Sequence, residues 1–472
     1  MATLENLLAR EAVLSSRQTA LSSQQVALEH ALLGVRVRIA EMRNMSARTY
    51  NLPSETLSTI FEAGLSETSY PTPRAMAFLD RSQQPLPIPF EMLVSAVSRR
   101  WRIVALQTPR LWTDLYINFA QPMQGLHDLY LYRSKMCLLD ITLVPFARHM
   151  ESDFTDSHDV GISFKQHMEL LIPYVARWRK LVIRKAFVGR FSAAYSVLAH
   201  LYAPALETLV AEIHSQPPLT MEVFSGGAPR LSSVELNGVF FRPPQGAVKR
   251  VELSIYAGPT FSYAQLSQLI HPMSTLTHLT MDLNMPTHTN HPSIELPSVI
   301  SLDISCHSFP ALRFLDFPAL EKLTFRGSSR ETIGAVIQHH RLYPVVTSLT
   351  IVSQDSINWN NPSAIDFISL LPGVQDVTFQ GAASTSILHA LHDTKSTDKL
   401  LWPRLSTITV IPADRATVSL EKQTWAYIGK VVENRLQLGT PVSRITLSSR
   451  IIERISNKQQ RRLREQVTLI EC

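Results

Sequence analysis

From residue 112 onward the apolar positions repeat one phrase, with an apolar residue at offsets 0, 3 and 5. The phrase starts at Trp112, Leu138, Trp178, Leu206, Leu231, Val248, Leu276, Val299, Leu320, Val346, Val374, Leu405 and Val442. Offsets 3 and 5 are two residues apart and share one side of an extended chain, so each copy predicts a strand with one buried face. Most copies stand about 21 to 31 residues apart, the repeat length of leucine-rich arrays in which each unit adds one strand to a parallel sheet. Pro204, Pro229, Pro297, Pro318, Pro344, Pro372 and Pro403 precede their phrases. Proline fixes φ and withholds a donor, so these positions predict turns leading into strands. Short helices are expected between strands over 263–270, 333–340 and 365–371. The asparagine that regular repeats carry eight positions after the first leucine occurs here only as Asn284. Each turn is therefore expected to satisfy its backbone in another way, giving an irregular array.

Positions 1–48 follow a different period. They contain no proline and one glycine, Gly34, and Leu7, Leu14, Leu21, Leu28, Val35 and Met42 fall seven apart. This predicts a long helix bearing the d seam of a coiled coil. The companion a positions, Leu4, Glu11, Gln18, Gln25, Leu32 and Ile39, are polar in the middle. Such a helix either packs on its own protein or self-associates. After Pro53, Leu57, Ile60 and Phe61 share one helical face. Prolines 71, 73, 85, 87 and 89 predict a loop over 64–89. A second helical stretch is expected from Phe90 to about Leu106.

Three blocks in this region carry a resemblance: Leu52-Pro53-x-Glu55-x-Leu57-x-x-Ile60-Phe61, Val97-Ser98-Arg99-Arg100-Trp101-Arg102-x-x-Ala105-Leu106, and Thr108-Pro109-x-Leu111-Trp112. Together they resemble an F-box, and most of all the fungal group in which a coiled coil precedes it. Ser98 stands where that group often has cysteine, and the 64–89 insertion is longer than in a compact F-box. The resemblance implies that Leu52, Pro53, Leu57, Ile60, Phe61, Val97 and Trp101 dock onto the Skp-type adaptor of a cullin ubiquitin ligase. The resulting reading is an α/β chain with a heptad-patterned helix over 1–48 and an F-box-like unit over 49–117. An irregular leucine-rich-repeat solenoid with a parallel sheet and a C-terminal capping helix then follows over 118–472. In that reading the chain is a substrate receptor; the alternative is an interaction scaffold whose helical unit is only structural.

Alternation places offsets 2, 4 and 6 of each phrase on the face opposite the core. Offset 4 is threonine at Thr142, Thr280, Thr324, Thr350, Thr378, Thr409 and Thr446, which sheet propensity alone favours. The charges on that face are Lys180, Arg184, Glu235, Arg250, Glu252, His278, Asp282, Asp303, Lys322, Arg326, Asp376 and Arg444. Arg184, Glu235, Arg250, Glu252, His278, Asp282, Asp303, Lys322 and Arg326 are the expected target contacts. Mixed sign suits a protein partner and disfavours nucleic acid.

Composition adds exclusions. Apolar content of 45% with 18% charged residues describes a folded chain, and a net charge of +6 over 472 residues is modest. Three separated cysteines without a C-x-x-C pair fit a reducing compartment and exclude a zinc cluster of that spacing. No apolar run is long enough for a signal peptide or a membrane span, so the expected location is cytoplasmic or nuclear. The His149–Asp159 segment, rich in His and acidic residues, matches neither a calcium loop nor a helical zinc pair. His288-x-x-His291 lacks companions, His339-His340 and His389-x-x-His392 read as surface pairs, and no phosphate-binding or nucleophile motif occurs. The expectation is a chain without catalytic site, metal or cofactor. The basic stretch Arg450, Arg454, Lys458, Arg461, Arg462 and Arg464 reads as the solvated side of a capping helix that starts near Ile451.

Overall fold

The computed structural model describes residues 2–67, 88–118, 125–144, 157–187, 196–214, 219–242, 244, 247–255, 260–286, 291–327, 343–353, 369–381, 384–392, 400–411, 418–453 and 455–471. Its contacts divide the chain into two compact units. One is Met1–Asp114 with Gly125–Cys137; the other is Leu115–Gln124 with Leu138–Cys472.

The first unit is helical. It contains α1 (Ala2–Ser46), α2 (Ser54–Glu67), α3 (Phe90–Val97), α4 (Arg99–Gln107) and α5 (Gly125–Arg133). The single helix expected from Phe90 to Leu106 is two helices. Ser98 lies between them in an extended conformation, φ −156° and ψ 164°, and its side chain accepts from the Trp101 N–H to cap α4. A cap of this kind contributes about 1 kcal/mol, enough to favour a break over continuation. The core is Leu57, Phe61, Val94, Val104, Ala105, Leu111, Trp112, Tyr130 and Leu131. Trp112 anchors it: its indole N–H donates to the Ala105 carbonyl at 2.9 Å, Tyr130 meets it edge-on, and the Arg133 guanidinium lies 4.4 Å above its ring. The buried Glu91 carboxylate accepts the Tyr130 hydroxyl. A side chain at Gly64 would meet the Phe90 ring, so this glycine lets α3 approach α2. The 64–89 loop lies largely outside the described residues.

The second unit is built on strands. These are β1 (Asp114–Asn118), β2 (Leu139–Val144), β3 (Trp178–Phe187), β4 (Thr208–His214), β5 (Leu219–Glu222) and β6 (Ser233–Asn237). Then come β7 (Val239–Arg242), β8 (Arg250–Ser254), β9 (His278–Asp282), β10 (Ile294–Glu295), β11 (Ser301–Ser305) and β12 (Leu315–Asp316). The last are β13 (Lys322–Arg326), β14 (Ser348–Ser353), β15 (Asp376–Gly381), β16 (Thr407–Ile411), β17 (Arg444–Leu447) and β18 (Thr468–Glu471). Fourteen of them form one sheet in chain order, from β1 to β18, while β5 pairs with β7 and β10 with β12 alongside it. From β2 onward every pairing in the large sheet is parallel. The fold is α/β with a long parallel sheet.

Each of the thirteen phrases leads into a strand of the large sheet, and all their apolar positions except Leu138 are buried. Register follows the phrase: Leu279, Leu302, Leu323, Leu349, Val377, Ile408 and Ile445 face one another across successive strands. The prolines do what their chemistry predicts. In all seven proline-led units the residue three before the phrase accepts from the phrase's first N–H: Ala203–Leu206, Ala228–Leu231, Leu296–Val299, Phe317–Leu320, Tyr343–Val346, Leu371–Val374 and Trp402–Leu405. Proline is then the second residue of a tight turn, where the φ that its ring imposes is the one the turn requires.

At the entrance to the strands successive units are joined by a fork. The carbonyl at offset 1 of one unit accepts two N–H groups, from offsets 1 and 2 of the next unit. Glu207, Ser232, Lys249, Thr277, Ile300, Glu321, Thr347, Gln375 and Ser406 all accept in this way. Where the next offset 1 is Ser or Thr, its hydroxyl donates to the same carbonyl: Ser232 to Glu207, Thr277 to Lys249, Thr347 to Glu321, Ser406 to Gln375 and Ser443 to Ser406.

Between strands lie α6 (Ser157–Leu171), α7 (Tyr263–Ile270), α8 (Ser384–His392) and α9 (Val418–Gln437). The helix expected over 263–270 is α7, closed at its start by a capping box of Ser262 and Gln265. Segment 333–340 and most of 365–371 lie outside the described residues. The end of the chain differs from the expected capping helix. It is a one-turn α10 (Ser449–Ile452), then α11 (Asn457–Arg464) capped by Ser456, then the strand β18. Only Leu469 of β18 matches the phrase, because Gln466 and Glu471 occupy its other apolar positions.

Candidate functional site

Two surfaces gather the residues singled out by the sequence. The first is in the helical unit. Leu57 and Phe61 are buried at 1% exposure, so their helical face is core, and Phe61 packs on Trp101 with ring centroids 5.0 Å apart. Leu52 and Trp101 are half-buried, and Pro53 is exposed. Ile60 and Val97 are exposed at 47% and 53%, together with Leu93 and Ile103, which sequence reasoning did not select. Ile60 lines an open apolar groove on α2 with Glu55, Thr56, Thr59 and Ala63. The Arg100 guanidinium donates to the Leu52 carbonyl and stacks 5.6 Å over Tyr50, tying the segment before α2 to α4. Ser58 and Thr108 share a hydrogen bond of 2.9 Å, and Arg110 pairs with Glu62 at 3.2 Å. The three resembling blocks therefore meet in one unit.

The second surface is the non-core face of the large sheet, where register sorts the charges into bands. Offset 2 is a basic row: Lys180 on β3, Arg250 beside His278 on β8 and β9, and Lys322 two strands further on. Offset 4 is acidic over the middle of that span, from β6 to β11, with Glu235 directly beside Glu252, then Thr280 and Asp303; on β3 and β13 it is Val182 and Thr324. The rows are two residues apart along each strand, about 6.6 Å. Offset 6 is mixed. Arg184 reaches Glu212 at 3.4 Å, the Ser305 hydroxyl donates to Asp282, and Arg326 grips Asp303 on the neighbouring strand with two bonds, one of 2.7 Å.

The bands act on the groups within them. Burial holds His278 below the ordinary imidazole range, and the nearby Arg250 and Lys322 cations lower it further. Burial raises Glu252, and Glu235 and Asp303 add to that against the opposing pull of Arg326 and Arg184. The hydrogen bond to Asp303 raises Arg326. All nine expected target contacts fall within this banded region, spanning β3 to β13. Toward the end of the sheet offset 4 becomes neutral, with Thr324, Thr350, Thr378, Thr409 and Thr446 in one continuous row, while Asp376 and Arg444 remain as separate charges at offset 2. The banding escaped the sequence reading because it needs strand register; the offsets alone carried its signal.

Among the described residues no group of three or more His, Cys, Asp and Glu side chains is placed to hold a metal. Most of the His149–Asp159 segment, His288 and the His339-His340 pair lie outside the described residues. No described helix is long and apolar enough to cross a membrane. Neither a comparison with protein-family models nor one with curated proteins gives a match to this chain.

Proposed function

We propose that this chain is a non-catalytic substrate receptor. In this reading the helical unit is an F-box that docks onto a Skp-type adaptor of a cullin ubiquitin ligase. The sheet unit is an irregular leucine-rich-repeat solenoid whose charge-banded face holds a target protein. The chain does no chemistry itself; it raises the effective concentration of target lysines near the transfer machinery.

The observation that carries the reading is the split within the resembling blocks. Leu57 and Phe61 fill the core, while Ile60, Leu93, Val97 and Ile103 leave apolar surface uncovered. A unit this small gains stability when a partner covers such surface. Direct docking then falls to the exposed Ile60, Val97 and Pro53 and the half-buried Leu52 and Trp101, and Leu57 and Phe61 act by holding the helices together. On the sheet, basic and acidic positions interspersed on one face favour a target segment that carries both signs, and disfavour the single-sign phosphate backbone of nucleic acid. The scaffold reading keeps a specific point in its favour, since the burial of Leu57 and Phe61 is also what a purely structural unit requires.

Retention on immobilised, purified Skp-type adaptor separates the two. The receptor reading expects the wild-type chain to be retained and Ile60→Asp with Val97→Asp to be lost, with circular dichroism unchanged. Absence of wild-type retention, under conditions that retain an established F-box protein, would sink it.

A further inference from the structure

The longest described helix of the protein has no cover. Helix α1 is 45 residues, about 67 Å at 1.5 Å per residue. Every side chain described along it is exposed except Asn44, which is half-buried. Leu7, Leu14, Leu21, Leu28, Val35 and Met42 are each between 58% and 69% exposed, and Leu4, Leu32 and Ile39 of the a positions are exposed too. The d seam is apolar through six consecutive heptads, the a seam only at its two ends, and an apolar stripe facing water contributes nothing to holding a helix.

We propose that α1 pairs with α1 of a second copy of this chain, as a parallel, in-register two-stranded coil. The seam itself selects that occupant. In a parallel pair with like positions opposed, Gln18 meets Gln18 and Gln25 meets Gln25, so each amide finds a donor and an acceptor in its twin. The antiparallel alignment that preserves full overlap sets Gln18 against Leu28 and Gln25 against Leu21 of the second copy. Two amides per helix then face leucine; Gln25 keeps its donation to the Glu29 carboxylate at 3.2 Å, and each group left without a partner costs about 1–3 kcal/mol. A partner with an uninterrupted apolar seam incurs the same cost. Leucine at most d positions together with Ile39 at a favours two strands over three. Glu11 is the adverse layer, since like meets like there too; Arg10 precedes it, at the g position that flanks the facing Glu11 in a parallel pair. The inference is independent of the receptor reading, since it uses no residue beyond α1.

The test is the mass of the full-length chain in solution, by light scattering across a dilution series. The expected particle has twice the chain mass of 53.1 kDa. Leu14→Glu with Leu21→Glu should reduce it to a single chain mass while the sheet signal in circular dichroism persists. Ser16→Glu with Ser23→Glu adds the same charge on the outer face and should leave the dimer intact. Orientation is read by Gln18→Cys in a background with the native cysteines replaced by serine, where mild oxidation should link nearly all chains in pairs. A wild-type chain that stays monomeric at tens of micromolar overturns the proposal. A dimer that survives the Leu14 and Leu21 changes overturns it as well. A dimer that Gln18→Cys fails to link overturns the parallel register.

Discussion

Replacing Gly373 by alanine isolates how closely consecutive units stack. Gly373 is the third residue of the turn from Leu371 to Val374, and it is buried. A Cβ built on it would lie 2.3 Å from the Pro344 carbonyl oxygen and 3.0 Å from that of Val346, both backbone atoms of the preceding unit. Its φ lies outside the left-handed region, so the effect of alanine is one of space. The same turn position is Ala205, Arg230, Thr275, Ser298, Ala319, Val345 and Arg404 in other units, so the turn itself tolerates a side chain. Relief of the contact needs a shift of roughly 1 Å between backbones, and overpacking of this kind costs about 1–3 kcal/mol. The shift would also stretch the fork from Gln375 and Asp376 to the Thr347 carbonyl, now 2.8 and 3.0 Å, at about 1 kcal/mol per weakened bond. Reduced unfolded-chain entropy returns about 0.4–1 kcal/mol. The net expectation for Gly373→Ala is a loss of about 2–3 kcal/mol in urea unfolding followed by circular dichroism. Stacked units need not unfold together, so hydrogen exchange at Gln375 and Asp376 should show the same loss locally. Ala319→Gly, the reverse change in an equivalent turn, should cost about 1 kcal/mol or less. A Gly373→Ala protein with the urea midpoint and the amide exchange of wild type would refute the stacking argument.

Other outcomes follow from the fork and the charged bands. Thr277→Val keeps the shape and removes the hydroxyl that reaches the Lys249 carbonyl at 3.0 Å; it should lower stability by about 1 kcal/mol, while Thr277→Ser stays close to wild type. Glu252→Gln should raise the urea midpoint slightly at pH 7. The folded state raises the Glu252 pKa, so in the window above the ordinary 4.5 the folded state binds more protons and this group's contribution falls as pH rises. The gain from Glu252→Gln should therefore shrink as pH is lowered through 4.5; a gain that grew there would contradict the assignment. For His278 the sign is opposite. Its lowered pKa makes the unfolded state the better proton binder just below the ordinary 6.5, so its contribution is lost as pH falls, and His278→Gln should flatten that part of the stability curve.

Much of the sheet was legible because a strand needs only local information. Offsets 0, 3 and 5 are buried almost wherever they recur, and a proline in the second turn position announces many of the units. The final strand was not legible, because an end strand has one neighbour in the sheet and can carry Gln466 and Glu471 where an internal strand needs apolar residues. The short β5–β7 and β10–β12 pairs lack the phrase and were missed for a related reason. Ser98 falls inside the single helical stretch expected from Phe90 to about Leu106, whereas its hydroxyl is a cap, a role that depends on backbone conformation. Leu57, Ile60 and Phe61 are expected on one helical face, but at 3.6 residues per turn Ile60 stands about 100° from Phe61, and it is exposed while Leu57 and Phe61 are buried. Alternation puts the nine charged residues expected to meet a target on the face opposite the core. Their division into rows required the register between strands that are adjacent in the sheet but distant along the chain.

The fork at offset 1 also bears on how such a chain can change over generations. Its acceptor is a main-chain carbonyl and its donors are main-chain amides, so the joint between units makes almost no demand on which residues meet there. Loss of 320–345 would leave Phe317-Pro318-Ala319 joined directly to Val346, restoring the turn and placing β14 beside β11. An in-frame deletion or duplication of one unit can thus lengthen or shorten the charged face while the surrounding units keep their own contacts. Gly373 is an exception, fitted to the backbone of its particular predecessor, and so is Gly226, whose Cβ would lie 2.9 Å from the Leu201 carbonyl oxygen; each marks a boundary that such recombination would cross only with loss of stability.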